Sequence, residues 1–435
     1  MTEADILTLR RMRQWLPLTV IVIVTIAASI NRQLIGLIIQ PVKVEFGLSD
    51  TQIGTLFSVI GVVVAISSPF LGQVVDRMDR YWILASAVFV WSIATAAFGL
   101  SYSFAGLGIS FAILATAETT LIPVCNSLIA GQFKGSARIN ANLVYFAAGG
   151  LTTGVGAYVG GLLLNWAGAA VQEMPAAKGW EDWRLALMAT AAIGLPLVFV
   201  VLTLGRDKRK PTARSVTDIS DLISYLRDHW RTLLAFNIAN AGYFIAATAV
   251  MTWIPIYLVR KFEISPADLG IRLGVVIGFA DVCGIVIGLL TIKKLYQFIG
   301  PLAPRYIFQI SLCLIAGASI MQLLATTPQQ ILILLGVQNF LATFGTACFN
   351  NMAQDISAPE FRGKIFGINS LFVSAVSIPA PLMVGALSDL FIEVPQGLLL
   401  ATMIVAIPAI LLSAVLYGLT NQSFLRTVET MRNLQ

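Results

Sequence analysis

The feature that most constrains this chain is a series of long runs without a single charge. Residues 14–31, 51–75, 139–172, 185–205, 232–259, 306–354, 365–388 and 394–425 contain no Asp, Glu, Lys or Arg. A helix needs about 20 apolar residues to cross the hydrocarbon of a bilayer, so each run is the size of at least one span. The run 81–117 exceeds one span and breaks at Ser101-Tyr102-Ser103, its second part continuing through Glu118 to residue 133. The run 306–354 divides at Thr326-Thr327-Pro328, and Asp281 alone interrupts 273–292. Twelve spans are expected, near 17–38, 51–75, 81–101, 106–132, 139–165, 184–204, 232–259, 271–292, 306–325, 330–352, 365–388 and 395–418. The expected fold class is an all-α membrane protein.

Composition agrees. Charged residues make up 11% of the chain, against about 25% in soluble domains, and the mean hydropathy is +0.84. The net charge of +6 does not point to nucleic acid. The basic residues sit in short connections, where they orient spans. Cys125, Cys283, Cys313 and Cys348 lie in apolar stretches without metal-like spacing, and read as small buried residues. With His229 as the one histidine, a histidine metal site or catalytic triad is not expected, nor is a resident cofactor.

Lys and Arg also set the topology. Arg10, Arg11 and Arg13 precede the first span, which has no small-residue cleavage site and reads as a retained helix. Placing the N-terminus inside puts most basic residues inside, which implies both termini in the cytoplasm and an even number of spans. The one long polar connection, 205–231, carries Arg206, Lys208, Arg209, Lys210, Arg214, Arg227 and Arg231. It divides the chain into 1–204 and 232–435, six spans each. Within it, Val216–His229 is either a plain connector or a short amphipathic helix. Two positions repeat at an offset of 224 residues, Arg138 with Arg362 and Gly161 with Gly385. Each arginine opens a span and each glycine lies near that span's far end, which suggests a parallel duplication.

At the second connection the sequence reads Gly72-Gln-Val-Val-Asp76-Arg77-Met-Asp79-Arg80. This resembles the signature of the major facilitator superfamily, with Asp79 in place of the usual glycine. The resemblance implies two pseudo-symmetric six-helix bundles with a solute site between them near mid-membrane. It also implies a latch on the inner face, to which Gly72, Asp76, Arg77, Arg80, Arg138 and Arg362 are assigned. Ser29-Ile30-Asn31-Arg32-Gln33, Phe46-Gly47-Leu48-Ser49-Asp50-Thr51-Gln52-Ile53-Gly54 and Thr116-Ala117-Glu118-Thr119-Thr120-Leu121-Ile122-Pro123 are similar to Spinster-like members, the first two also to anion:cation-symporter-like members. The Spinster-like pattern has aspartate where this chain has Asn31 and arginine where it has Phe111. The aspartate–arginine pair associated with proton coupling is therefore absent.

Ionisable residues inside spans are costly and mark function by default. Glu118 lies in the middle of the fourth span, Asp281 in the middle of the eighth, and Arg32 toward the outer part of the first. Burial favours the neutral form of a carboxyl group, so Glu118 is a candidate to carry a proton. The other readings are a pair with Arg32, contact with a substrate amine, or a structural hydrogen bond. Asp281 is either a second protonation site or a packing buttress. Arg32 either snorkels to the interface or holds a carboxylate or phosphate of the solute, with Asn31 beside it unable to neutralise it. Neutral polar candidates are Asn126, Tyr145, Asn237, Asn240, Tyr243, Gln338 and Asn339. Each serves a polar solute path or hydrogen-bonds neighbouring helices. The glycines of the fifth span, Gly149, Gly150, Gly154, Gly156, Gly160 and Gly161, permit close helix approach and resemble an exporter motif, which implies antiport. Pro379 and Pro381 are expected to bend the eleventh span.

These observations lead to a secondary transporter of a small, amphipathic anionic or zwitterionic solute, coupled to protons through Glu118. It is expected to sit in the bacterial inner membrane and to work as a monomer. A uniporter and a non-transporting membrane sensor are the alternatives. No Gly-rich loop followed by Lys and Ser/Thr is present to bind ATP, and no catalytic constellation suggests an enzyme.

Overall fold

The computed structural model describes residues 3–133, 135–174, 178–205, 219–358 and 361–433. These form fifteen α-helices: α1 (Glu3–Phe46), α2 (Asp50–Arg77), α3 (Arg80–Gly99), α4 (Phe104–Gln132), α5 (Gly135–Glu173), α6 (Asp182–Thr203), α7 (Ile219–Asp228), α8 (Trp230–Phe262), α9 (Pro266–Ile299), α10 (Ala303–Leu323), α11 (Pro328–Asp355), α12 (Arg362–Ser377), α13 (Ala380–Leu390), α14 (Gly397–Leu419) and α15 (Asn421–Asn433). No strand occurs among the described residues. The helices α1–α6 carry the six spans of the first half, α8–α11 the next four, α12 with α13 the eleventh, and α14 the twelfth. Ten stretches among the described residues are long and apolar enough to cross a membrane, one of them, Pro266–Leu323, containing both α9 and α10. The remaining span is α11, whose residues 331–348 include Ile331, Leu332, Ile333, Leu334, Leu335 and Phe340.

Local chemistry sets the helix ends. Asp79, which replaces the signature glycine, caps α3 by accepting the N–H groups of Tyr81 at 2.9 Å and Trp82 at 3.3 Å. Ser103 caps α4 through the N–H of Gly106, which explains the break at Ser101-Tyr102-Ser103. Thr327 and Gln330 form a capping box at α11 with Pro328 in its first turn, so Thr326-Thr327-Pro328 is both the stop of one span and the start of the next. The eleventh span breaks between Ser377 and Ala380, where Pro379 lies. A proline cannot donate the interior hydrogen bond. Gly47 ends the first helix at φ +61°, a left-handed conformation that glycine adopts without strain.

The helices fall into two compact units. One contains residues 1–47, 62–212 and 264–278; the other contains 48–61, 213–263 and 279–435. In the first unit α3 packs on α4 and α6, and α1 on α5, around Trp91, Phe98 and Trp183. Close approach is achieved with small residues. A Cβ at Gly154 would lie 2.5 Å from the backbone of Gly278, and one at Gly161 would lie 2.5 Å from the carbonyl of Ala267. In the second unit α8 packs on α14, and α10 on α11 and α14, around Trp253 and Tyr417. Both units leave large apolar side chains outside, such as Phe199 at 70% and Phe279 at 73% exposure. Hydrocarbon is a suitable solvent for such a surface, so packing of small residues and internal hydrogen bonds hold the helices together.

Candidate functional site

In the first unit the α1 cation and the α4 carboxylate meet. Arg32 donates from Nε at 3.0 Å and from Nη2 at 2.8 Å, both to Oε2 of Glu118. The two partners differ in environment: the Glu118 side chain is 7% exposed and that of Arg32 is 63% exposed. Oε1 of Glu118 is buried without a hydrogen-bond partner. The pair therefore presents its positive group outward and keeps the carboxylate behind it, with half of the carboxylate's accepting capacity unused.

The residues around the pair play different parts. Asn31 is fully buried and accepts from the Thr190 hydroxyl at 3.4 Å, its amide nitrogen having no partner. It therefore points away from the role of counter-charge, as a neutral amide must. Tyr145 is buried against Cys125 and Thr25, joining α5 to α4 and α1. Asn126 is exposed on α4.

In the second unit Asp281 is held by α11. Its Oδ1 accepts from Asn339 Nδ2 at 2.7 Å and from the Thr343 hydroxyl at 2.8 Å. The other predicted polar residues bind neighbouring helices. Asn237 accepts from Asn369 at 2.7 Å and donates to the Leu233 carbonyl at 2.7 Å. Asn240 accepts from the Tyr417 hydroxyl at 2.8 Å. Gln338 donates to Ser319 at 2.9 Å and exchanges hydrogen bonds with Gln322. Tyr243 packs edge-on against Phe308, with ring centroids 5.6 Å apart. Pairing lowers the cost of burying these amides, although the Asn240 amide nitrogen keeps no partner.

Of the expected latch, Gly72, Asp76 and Arg77 lie in the last turns of α2, Arg80 opens α3, Arg362 opens α12, and Arg138 is exposed near the start of α5. The side chains of Asp76, Arg77 and Arg362 lie outside the described residues.

Three arginine centres escaped the sequence reading. Arg184, in the first turn of α6, is 4% exposed. It donates to Glu45 at 2.6 Å and to the carbonyls of Gly99 at 2.6 Å and Ser101 at 2.9 Å, so it caps the C-terminus of α3. Arg305 does the same for α14, donating to the Tyr417 carbonyl at 2.9 and 2.7 Å. Arg260 makes a two-pronged pair with Asp50 at 2.8 and 2.7 Å, and Ser388 adds a hydrogen bond to the same carboxylate. Beside it Asp389 accepts the N–H groups of Asp50 at 3.0 Å and Thr51 at 2.8 Å, capping α2 from α13. The signal for the Asp50 group was the run Ser49-Asp50-Thr51-Gln52, which has the form of a helix start. Nothing in the sequence pointed to its distant partners.

Apolar spans in two compact units, with an ion pair inside one and an amide-bound carboxylate inside the other, define a polytopic α-helical membrane protein. The profile of the Major Facilitator Superfamily matches residues 21–321, and the chain belongs to that family. It is similar to protein spinster of Drosophila melanogaster, 22% identical over 71% of this chain. It spans about half, 51%, of that relative's length. It is also similar to an MFS-type efflux pump of Mycolicibacterium smegmatis, 24% identical over 96% of this chain and 94% of that one. Among solved structures, a bacterial homolog of the human lysosomal transporter Spinster, in an inward-facing and occupied conformation, superposes with a TM-score of 0.77. That match covers 94% of this chain and 97% of the other at 20% identity, and it shows the fold.

Proposed function

We propose that this protein cotransports a small amphipathic organic anion, or the anionic end of a zwitterion, with a proton. In this reading the halves 1–204 and 232–435, joined through 205–231, expose the solute to one side of a bacterial inner membrane at a time. Gly72, Asp76, Arg77, Arg80, Arg138 and Arg362 steady one of the two states. One polypeptide holds both halves, so a monomer suffices. The single observation that carries the reading is the asymmetry of the Arg32–Glu118 pair, an exposed cation whose carboxylate partner is buried behind it.

The chemistry follows from competition. An arriving carboxylate or phosphate offers the Arg32 guanidinium a charge-assisted, two-pronged contact and displaces Glu118. A buried carboxylate without its counter-charge is disfavoured and takes up a proton. Solute and proton then load together and leave together. Asp281, bound by Asn339 and Thr343, is the second candidate for protonation. The remaining amides and tyrosines, among them Asn126, shape the polar path.

Uniport is the second reading, favoured by Asn31 standing where the Spinster-like pattern has an aspartate. Antiport, implied by the glycines of α5, requires solute and proton to exclude each other at Glu118. A thermal-shift screen of organic anions, zwitterions and cations on purified protein, followed by flux of the hits in proteoliposomes, separates these. Cotransport predicts accumulation of an anion down an inward proton gradient. Flux indifferent to the gradient means uniport, stimulation by the opposite gradient means antiport, and a screen yielding only cations removes Arg32 as the anchor.

A further inference from the structure

The second unit contains a cavity of about 590 Å³ away from Asp281, in the size range of small-ligand sites. It lies where α7, the start of α8 and α15 come together, and its lining includes Arg227, Arg231, Arg426, Asp228 and the His229 ring. Three guanidinium groups therefore face one carboxylate. None of the three arginines forms an ion pair with a described carboxylate; Arg231 only leans on the Trp230 ring at 5.6 Å. The rest of the wall is the Trp230 ring and four hydroxyls. Thr232 meets the Ser423 hydroxyl at 2.5 Å and the Thr427 hydroxyl at 2.9 Å, and Thr430 completes the set. The N-terminus of α8 opens here, and His229 at its cap position makes no side-chain hydrogen bond to it. Uncapped N–H groups at a helix start favour an anion.

Like charges gathered without partners are unfavourable unless an anion joins them. The surroundings indicate where it comes from. Trp230, which lines the cavity and opens the span of α8, is 53% exposed, and Ile223, one turn before Arg227 on α7, is 59% exposed. An apolar face next to arginines, with tryptophan at the boundary, is the pattern of a segment lying on a membrane surface.

We propose that this cavity binds a phosphate group, held by Arg227, Arg231 and Arg426 with the hydroxyls of Thr232, Ser423, Thr427 and Thr430, and that its source is the headgroup of an anionic phospholipid. The site is independent of the transport reading, because it shares no residue with the Arg32–Glu118 pair. Basic residues at a membrane surface contribute about 1 kcal/mol each toward anionic lipid, or about fivefold in Kd per arginine. Loss of all three then weakens binding on the order of a hundredfold.

The test is a titration of the purified full-length protein with short-chain phosphatidylglycerol, phosphatidylcholine or inorganic phosphate, read by Tm and by the tryptophan fluorescence change lost in Trp230→Phe. The comparison protein is R227Q/R231Q/R426Q; the single variant Arg426→Gln, on the exposed side of the terminal helix, serves if the triple variant does not fold. A saturable response to phosphatidylglycerol but not phosphatidylcholine, weakened about fivefold by R426Q and on the order of a hundredfold by the triple variant, supports the lipid assignment. A saturable response to inorganic phosphate at comparable concentration, lost in the same variants, supports the site and overturns the lipid as its source. Equal responses in wild type and variants, or no response to any of the three, overturn the site.

Discussion

Replacing Glu118 with glutamine removes one charge and almost no volume, so it isolates the competition for Arg32. Both hydrogen bonds of the guanidinium end on one carboxylate oxygen, at 3.0 and 2.8 Å. Unit charges about 4 Å apart attract by roughly 1 kcal/mol in water and roughly 4 kcal/mol at the effective dielectric of a protein surface. The 63% exposure of Arg32 places this pair in the lower part of that range, near ~2 kcal/mol. An anion that must displace Glu118 works against that amount, and in Glu118→Gln it does not. The expected result is about thirtyfold tighter binding of the anionic solute by isothermal titration. Accumulation driven by a proton gradient falls to background, because glutamine carries no proton, while solute counterflow persists. Unchanged affinity refutes the competition. Intact proton-driven accumulation refutes Glu118 as the coupling group.

Three further outcomes are expected. Arg184→Ala leaves the last carbonyls of α3 without their donor and Glu45, 30% exposed, with the Trp183 indole N–H; losing hydrogen bonds from a charged donor costs about 1.5–3 kcal/mol. The readout is a fall in Tm and in folded yield, with Arg184→Lys recovering only part because it lacks the fork geometry. Asp389→Ala removes the cap of α2 at Asp50 and Thr51, and should cost about 1–2 kcal/mol, seen as faster hydrogen exchange at residues 50–54. Burial pushes the His229 ring below the ordinary histidine value, with Asp228 opposing. The unfolded chain then holds a proton on that ring at pH values where the folded chain does not. The contribution to stability is complete above about pH 6.5 and declines as pH falls through that value toward the lower folded one. His229→Gln should flatten the Tm profile over that interval, and an unchanged profile would remove His229 as its source.

The all-helical membrane fold and its apolar spans were legible in the sequence, since each span rests on a local property, whereas the two compact units exchange residues 48–61 and 264–278 relative to a simple division at 205–231. The breaks at Ser101-Tyr102-Ser103 and Thr326-Thr327-Pro328 are capping chemistry written in adjacent residues. The amphipathic alternative for Val216–His229 materialised as α7, Ile219–Asp228. The helix α15 was readable but not read: Phe424, Val428 and Met431, all buried, recur at helical spacing.

What the sequence determined by itself is therefore what a bilayer imposes along one chain: segments of a fixed apolar length, positive charge between them, and a few charges conspicuous for lying within them. Only the tertiary structure decided which of those charges meet. Arg32 finds Glu118 across 86 residues, Arg184 finds Glu45 across 139, and Arg260 finds Asp50 across 210. The physical reason is the solvent. In water a helix advertises its buried face by being apolar on one side. In hydrocarbon the inner and outer faces are both apolar, so hydropathy does not reveal how a span is rotated or which neighbour it packs against. Partner choice rests instead on small-residue contacts such as Gly154 against Gly278 and on geometry that exists only after the helices have packed.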